Sequence, residues 1–186
     1  MGVWRIHANF WEVVKSYLVV MKKFALEILE VLSEGLGLEK GYFRGEMSNN
    51  PELLVHHYPS CPNPSLTMGL NQHADPTLIT ILFQDVNVLQ FLKDGQWIDV
   101  DPLPDAFLIN VGYIFLGEDE SSGTSSRDIY WSRQSLVYVV YPENDVTIEP
   151  SKYFINETNP PHIIAPSSSK TSFTNLCLSL LTERQQ

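Results

Sequence analysis

Cysteine is scarce in this chain of 186 residues: Cys61 and Cys177 are the only two. They are too few for a disulfide scaffold and form no paired metal-binding motif, a usage that suits a reducing compartment and predicts a cytoplasmic protein. Positive charge is also short, with twelve Lys and Arg against twenty-two Asp and Glu and a net charge of −10. A sequence-independent attraction to phosphate backbones or anionic lipid is therefore not expected, and neither nucleic acid nor membrane is a predicted partner. Long hydrophobic runs are missing, because Lys and Glu interrupt every apolar stretch well before membrane length. No secretory leader is visible, since Trp4, Arg5 and His7 stand where a charged region and an apolar run would be. What is present is a hydrophobic content of 44%, enough for one sizeable core, and a single compact domain acting as a monomer is the default.

From Phe10 to about Glu34, Val13, Val14, Tyr17, Leu18, Met21, Ala25, Ile28, Leu29 and Leu32 recur at helical spacing, with Lys15, Lys22, Lys23, Glu27 and Glu30 mostly between them. That pattern predicts an amphipathic helix, and Gly35 and Gly37 supply its stop. From Tyr58 onward Pro59, Pro62 and Pro64 exclude regular helix and open a β region. Five short runs rich in β-formers follow: Leu78 to Phe83, Val88 to Leu92, Trp97 to Val100, Ala106 to Val111 and Ser135 to Tyr141. Their spacing suits a barrel or a sandwich, and Asp94-Gly95 between two of them predicts an antiparallel hairpin. Between Gly112 and Arg133 the pattern fails. Gly117 to Ser126 is polar, acidic and poor in β-formers, so a mobile loop is expected there. Past Pro150 come Asn159-Pro160-Pro161 and a Ser run, with a short helix expected at Leu176 to Leu181.

His73-Ala74-Asp75 is the first candidate site. Side chains two residues apart on an extended chain point to one face and can turn toward one metal. Ferrous iron in oxygenases is held by two His and one carboxylate on one face, with positions left open. A lone His-x-Asp is weak evidence, since the same tripeptide also occurs as a surface pair in a turn. Order along the chain strengthens it: His57-Tyr58-Pro59-Ser60-Cys61-Pro62 comes first, then His73-Ala74-Asp75, then Arg133-Gln134-Ser135 at the head of a β run.

Together these three motifs resemble the plant 2-oxoglutarate/Fe(II)-dependent dioxygenases. Ser33-Glu34-Gly35-Leu36-Gly37-Leu38, Leu89-Gln90-Phe91, Asp94-Gly95-Gln96-Trp97-Ile98, Pro102 to Phe107 and Asn110-Val111-Gly112 are similar to the same family. The likeness runs from about Phe10 to Gly112 and resumes from Arg133 to about Pro161. It implies a mainly β fold with helices: a cupin-like double-stranded β-helix, or jelly roll, with a long N-terminal helix packed outside. Residues 1–50 would form the helical support and 51–186 the jelly roll. The resemblance further implies His73 and Asp75 as Fe(II) ligands, with Arg133 and Ser135 holding the distal carboxylate of 2-oxoglutarate beside Tyr58, a task suited to a guanidinium fork. Its cofactors would be Fe(II) and 2-oxoglutarate, with ascorbate as reductant, and its partner a small-molecule substrate. Read without the family, Arg133 is equally an ordinary strand-end cation.

Two departures from the family stand out. Its second iron-binding His lies between the Asn-Val-Gly and Arg-x-Ser strands, yet no His occurs here between His73 and His162. Glu118, Asp119, Glu120 and Asp128 are the hard oxygen donors nearest that gap. The chain also begins near the family's central helix, so the N-terminal portion that helps shape the substrate pocket is expected to be absent, and the jelly-roll domain of 51–186 is expected to be incomplete. His56 and His57 are expected in structural or pocket-lining roles, His162 as solvated and Cys61 as a buried small residue. Three readings follow: an oxidoreductase of a small plant metabolite, a binding protein that keeps the jelly roll and 2-oxoglutarate without turnover, and an unstable partial product.

Overall fold

The computed structural model describes residues 9–112, 114, 123–127 and 132–146. The chain divides into two compact units between Phe43 and Arg44. In the first, helix α1 spans Phe10–Gly35, and its buried residues Met21, Ala25, Leu29 and Ser33 recur every four positions along one stripe. The Ser33 hydroxyl has no water to bind there and donates back to the Leu29 carbonyl at 2.8 Å. The helix stops as its glycines predict. Gly37 takes φ +68°, and the amides of Gly37 and Leu38 close on the carbonyls of Glu34 and Ser33 at 3.0 and 2.9 Å, the paired bonds of a Schellman motif.

Among the described residues the second unit holds eight strands: β1 Asn50–Tyr58, β2 Met68–His73, β3 Ile79–Gln84, β4 Leu89–Lys93, β5 Gln96–Asp99, β6 Leu108–Val111, β7 Gly123–Arg127 and β8 Arg133–Tyr141. They make two four-stranded sheets, ordered β1-β8-β3-β6 and β2-β7-β4-β5. Every pairing is antiparallel, and β1 pairs with β8, β2 with β7, β3 with β6 and β4 with β5. Pairing the first strand with the last and working inward is the pattern of one long hairpin rolled into two sheets, the expected jelly roll. Its innermost turn is Asp94-Gly95, both at positive φ, between the partners Lys93 and Gln96, as a two-residue primed turn requires.

Leu89 of the second sheet clusters with Leu82, Val137, Val139 and Tyr141 of the first, with Leu54, Val100 and Leu108 against them. This is the layer between the sheets. In β3 the four residues Ile79 to Leu82 are all buried, on both faces, which explains why the run read in the sequence is apolar on both sides of Thr80 rather than alternating.

Three strands escaped that reading. β1 contains Pro51, which a sheet tolerates at an edge, and β1 is an edge strand. β2, Met-Gly-Leu-Asn-Gln-His, is a weak β-former on another edge. The third corrects an expectation: Gly123–Arg127, placed within a mobile loop by composition, is a strand bonded on both sides, to β2 and to β4. Two open ladders flank it, and filling both outweighs the poor propensity of Gly-Thr-Ser-Ser-Arg. Cys61 is also corrected: it is half-exposed, with Sγ 3.1 Å from the Thr67 hydroxyl. The rest of the expected loop, including Glu118, Asp119, Glu120 and Asp128, lies outside the described residues, as do His162, Cys177 and the tail helix expected at Leu176 to Leu181.

Gly112 closes β6 against the chain before β3. Its amide donates to the Leu78 carbonyl at 2.9 Å, and a Cβ there would stand 1.8 Å from the Thr77 carbonyl oxygen. Only backbone could yield, so Gly112→Ala is expected to destabilise the fold by about 1–3 kcal/mol, the usual range for overpacking. A lowered urea midpoint with unchanged slope would register it.

Candidate functional site

Alternation along β1 and β8 builds one wall of the site. His56 faces Ser135 and Tyr58 faces Arg133 across the ladder, with Leu54 opposite Val137 two residues further in. Period-two geometry puts all six on one face of the sheet, and all six line a cavity of about 70 Å³ between the sheets. At roughly 10–15 Å³ per water, that is room for a small organic acid. β3 contributes Thr80, Leu82 and Gln84, β6 contributes Asn110, β7 contributes Thr124, and His73 and Asp75 close the cavity from the end of β2. The five residues singled out in the sequence, Tyr58, His73, Asp75, Arg133 and Ser135, are thus brought together.

Arg133 is only 5% exposed, and its guanidinium carbon lies 3.5 Å from the centre of the Tyr58 ring. The ring's negative face attracts the cation and restricts the plane of the fork. The Ser135 hydroxyl is 3.5 Å from His56 Nδ1. His57, one residue along, is turned to the opposite face, where its Nε2 lies 2.9 Å from the Ser132 hydroxyl.

At the other pole His73 Nε2 and Asp75 Oδ1 lie 3.3 Å apart, with side chains 15% and 11% exposed. His73 Nδ1 is 2.8 Å from the Asn71 carbonyl, which can only accept, so Nδ1 carries the hydrogen. That leaves the Nε2 lone pair converging with a carboxylate oxygen. Two lone-pair donors so placed need a cation between them, either a proton or a metal ion, and a ring whose Nδ1–H is held by a carbonyl is the usual arrangement for a histidine ligand. Burial opposes both charges, lowering His73 and raising Asp75. The mutual hydrogen bond and Coulomb attraction outweigh it, with Asn71 helping His73, and Thr80 and Asn110 helping Asp75. The net result is His73 above and Asp75 below their ordinary ranges. The Asn110 amide donates to Asp75 Oδ2 at 3.4 Å and orients it.

For 2-oxoglutarate the fit is good: a fixed cation, a hydroxyl and a cavity of matching scale. For iron the donor set is short, since among the described residues no third His, Cys, Asp or Glu joins His73 and Asp75. Thr80, Asn110 and Thr124 were missed in the sequence. Thr80 and Asn110 left a trace, as polar residues at inward positions of apolar strands; Thr124 left none without its strand.

The model of the 2OG-Fe(II) oxygenase superfamily matches residues 49–120. Hyoscyamine 6-dioxygenase of Hyoscyamus niger is 40% identical over 161 residues, 83% of this chain and 47% of the relative. The chain belongs to the 2OG-Fe(II) oxygenase superfamily. Flavanone 3-dioxygenase 2 of Oryza sativa subsp. japonica is another relative, 36% identical over 160 residues, 82% of this chain and 47% of its own. Among solved structures, JOX2 in complex with 2OG, Fe and JA superposes with a TM-score of 0.81 at 30% identity, covering 93% of this chain and 54% of JOX2. The chain therefore spans about half the length of the curated relatives it matches.

His56 yields a prediction. Burial, with the nearby Arg133 charge adding to it, holds its pKa below the ordinary histidine value. The unfolded chain takes up a proton near pH 6.5 that folded His56 refuses. Its effect on stability is absent above that pH and grows as pH falls from 6.5 toward the lower folded value. Urea denaturation at pH 7.5 and 5.5 should show a larger acid loss in the wild type than in His56→Asn; equal losses would refute it.

Proposed function

We propose that this chain is the cofactor-binding jelly roll of an Fe(II)/2-oxoglutarate-dependent dioxygenase acting on a small plant metabolite. In it His73 and Asp75 are the protein ligands of Fe(II), and Arg133, Ser135 and Tyr58 hold 2-oxoglutarate. One observation carries the reading: a converging His–Asp pair and a buried guanidinium line the same cavity. Relatives that are themselves named dioxygenases, and a similar structure holding 2OG and Fe, support it.

Iron, when bound, supplies the oxygen chemistry. The chain's own residues bind, orient and shield. Arg133 presents two parallel N–H groups to a carboxylate, Ser135 adds a hydroxyl donor, and the Tyr58 ring limits the fork's rotation. Leu54, Leu82, Leu89, Val137 and Val139 line the same space and keep its polarity low, which strengthens each charge-assisted contact. The Asn71 carbonyl and the Asn110 amide hold His73 and Asp75 in register before any ion arrives. The proposal extends to a cytoplasmic monomer of specialised metabolism without nucleic-acid or membrane partners. The net charge of −10 and the lack, among the described residues, of a helix long and apolar enough to cross a membrane support it.

The two-donor metal set favours a second reading, a jelly roll that binds 2-oxoglutarate with little or no turnover. Calorimetry should detect 2-oxoglutarate binding that Arg133→Ala weakens ten- to a hundredfold, the loss expected for hydrogen bonds to a charged group at about 1.5–3 kcal/mol. Equal binding by both proteins would sink the clamp. Turnover is a separate question. With Fe(II) and ascorbate, succinate formation from 2-oxoglutarate is expected to be slow or absent; robust formation by the wild type, lost in His73→Ala, would show a complete metal centre and exclude the second reading.

A further inference from the structure

The missing third donor has a location. β7 runs antiparallel to β2, and Thr124 is the Cα partner of His73. Directly opposed residues on such a pair share a face, with Cβ atoms roughly 5 Å apart. Thr124 lines the cavity with His73 and Asp75, and its hydroxyl donates to the His73 carbonyl at 3.4 Å. The other polar neighbours are already engaged: Asn110 turns its amide N–H to Asp75, Thr80 hydrogen-bonds Asp75 as well, and Gln84 donates to the Val100 carbonyl. Each supports the carboxylate or the sheet. Thr124 alone among them stands across from the imidazole.

We infer that Thr124 occupies the third corner of the His73–Asp75 site, where a neutral hydroxyl stands in place of a metal-binding side chain. The inference rests on His73 and Asp75 being the metal's ligands. An alcohol that keeps its proton is a poor donor to a divalent ion, whereas imidazole and carboxylate both suit one. The chain thus offers a bound divalent metal two strong side-chain donors, and one substitution on β7 supplies the third.

The test uses the full chain and Co(II), read by calorimetry and by the visible absorption of the bound ion. Thr124→His should bind Co(II) at least tenfold more tightly than the wild type and change its visible spectrum. Thr124→Asp, nearly the size of threonine, should also tighten binding and covers the case in which the larger ring prevents folding. Both gains should vanish when His73→Ala is added. Wild-type affinity in the folded Thr124→Asp protein would overturn the inference. So would a loss of wild-type affinity on replacing Glu118, Asp119, Glu120 and Asp128 together by Ala, because the third donor would then come from those residues. If His73→Ala alone leaves Co(II) binding unchanged, the His73–Asp75 reading fails first. If it weakens binding while neither Thr124 variant gains any, the placement of Thr124 alone is wrong.

Discussion

Strand β8 is hydrogen-bonded along both edges, to β1 and to β3, and the jelly roll hangs on that double pairing. Nine consecutive residues, Arg133 to Tyr141, are held in register by it, most of them buried. A one-residue slip would reverse every side chain and carry Arg133 and Ser135 out of the cavity along with Val137 and Val139. Apolar packing and polar recognition therefore enforce the same register. The polar residues sit at the strand's open end and the apolar ones deeper in, so a single ladder grades from binding site to core.

That arrangement also sets the electrostatics. An arginine this deeply placed loses most of its hydration, and part of the loss is offset by the Tyr58 ring beneath it. On the proposed function, a carboxylate entering the cavity adds charge-assisted hydrogen bonds to that contact. At the opposite pole an imidazole nitrogen and a carboxylate oxygen face each other at 3.3 Å. Asp75 and His73 are supported by a carbonyl, an amide and a hydroxyl, and the carbonyl and the amide engage His73 Nδ1 and Asp75 Oδ2 rather than the facing Nε2 and Oδ1. A positive and a negative pole within one small apolar-walled space suit a cosubstrate anion and a metal ion side by side.

Much of this was legible beforehand. The helix, its glycine stop and the Asp94-Gly95 turn rest on local rules, spacing and positive φ, that hold wherever the chain is. The strands of the central runs were visible because burial on one or both faces demands apolar residues in sequence. The five site residues were named from motif order and a family resemblance, and the structure lines one cavity with them. Edge strands were less visible: β1 tolerates a proline because one of its edges needs no partner, and β2 has little apolar content.

The sequence by itself determined which residues bear the chemistry and which stretches seek burial, since charge, ring nitrogens, helical periodicity and turn glycines are properties of the residues themselves. Tertiary structure alone decided what faces what. Gly123–Arg127 has no propensity that announces a strand; it is one because β2 and β4 leave two ladders to be filled on either side of it. From that pairing follows the placement of Thr124 opposite His73, with fifty residues intervening in the chain. Contacts at that range are set by the register of strands against each other, which no local pattern encodes.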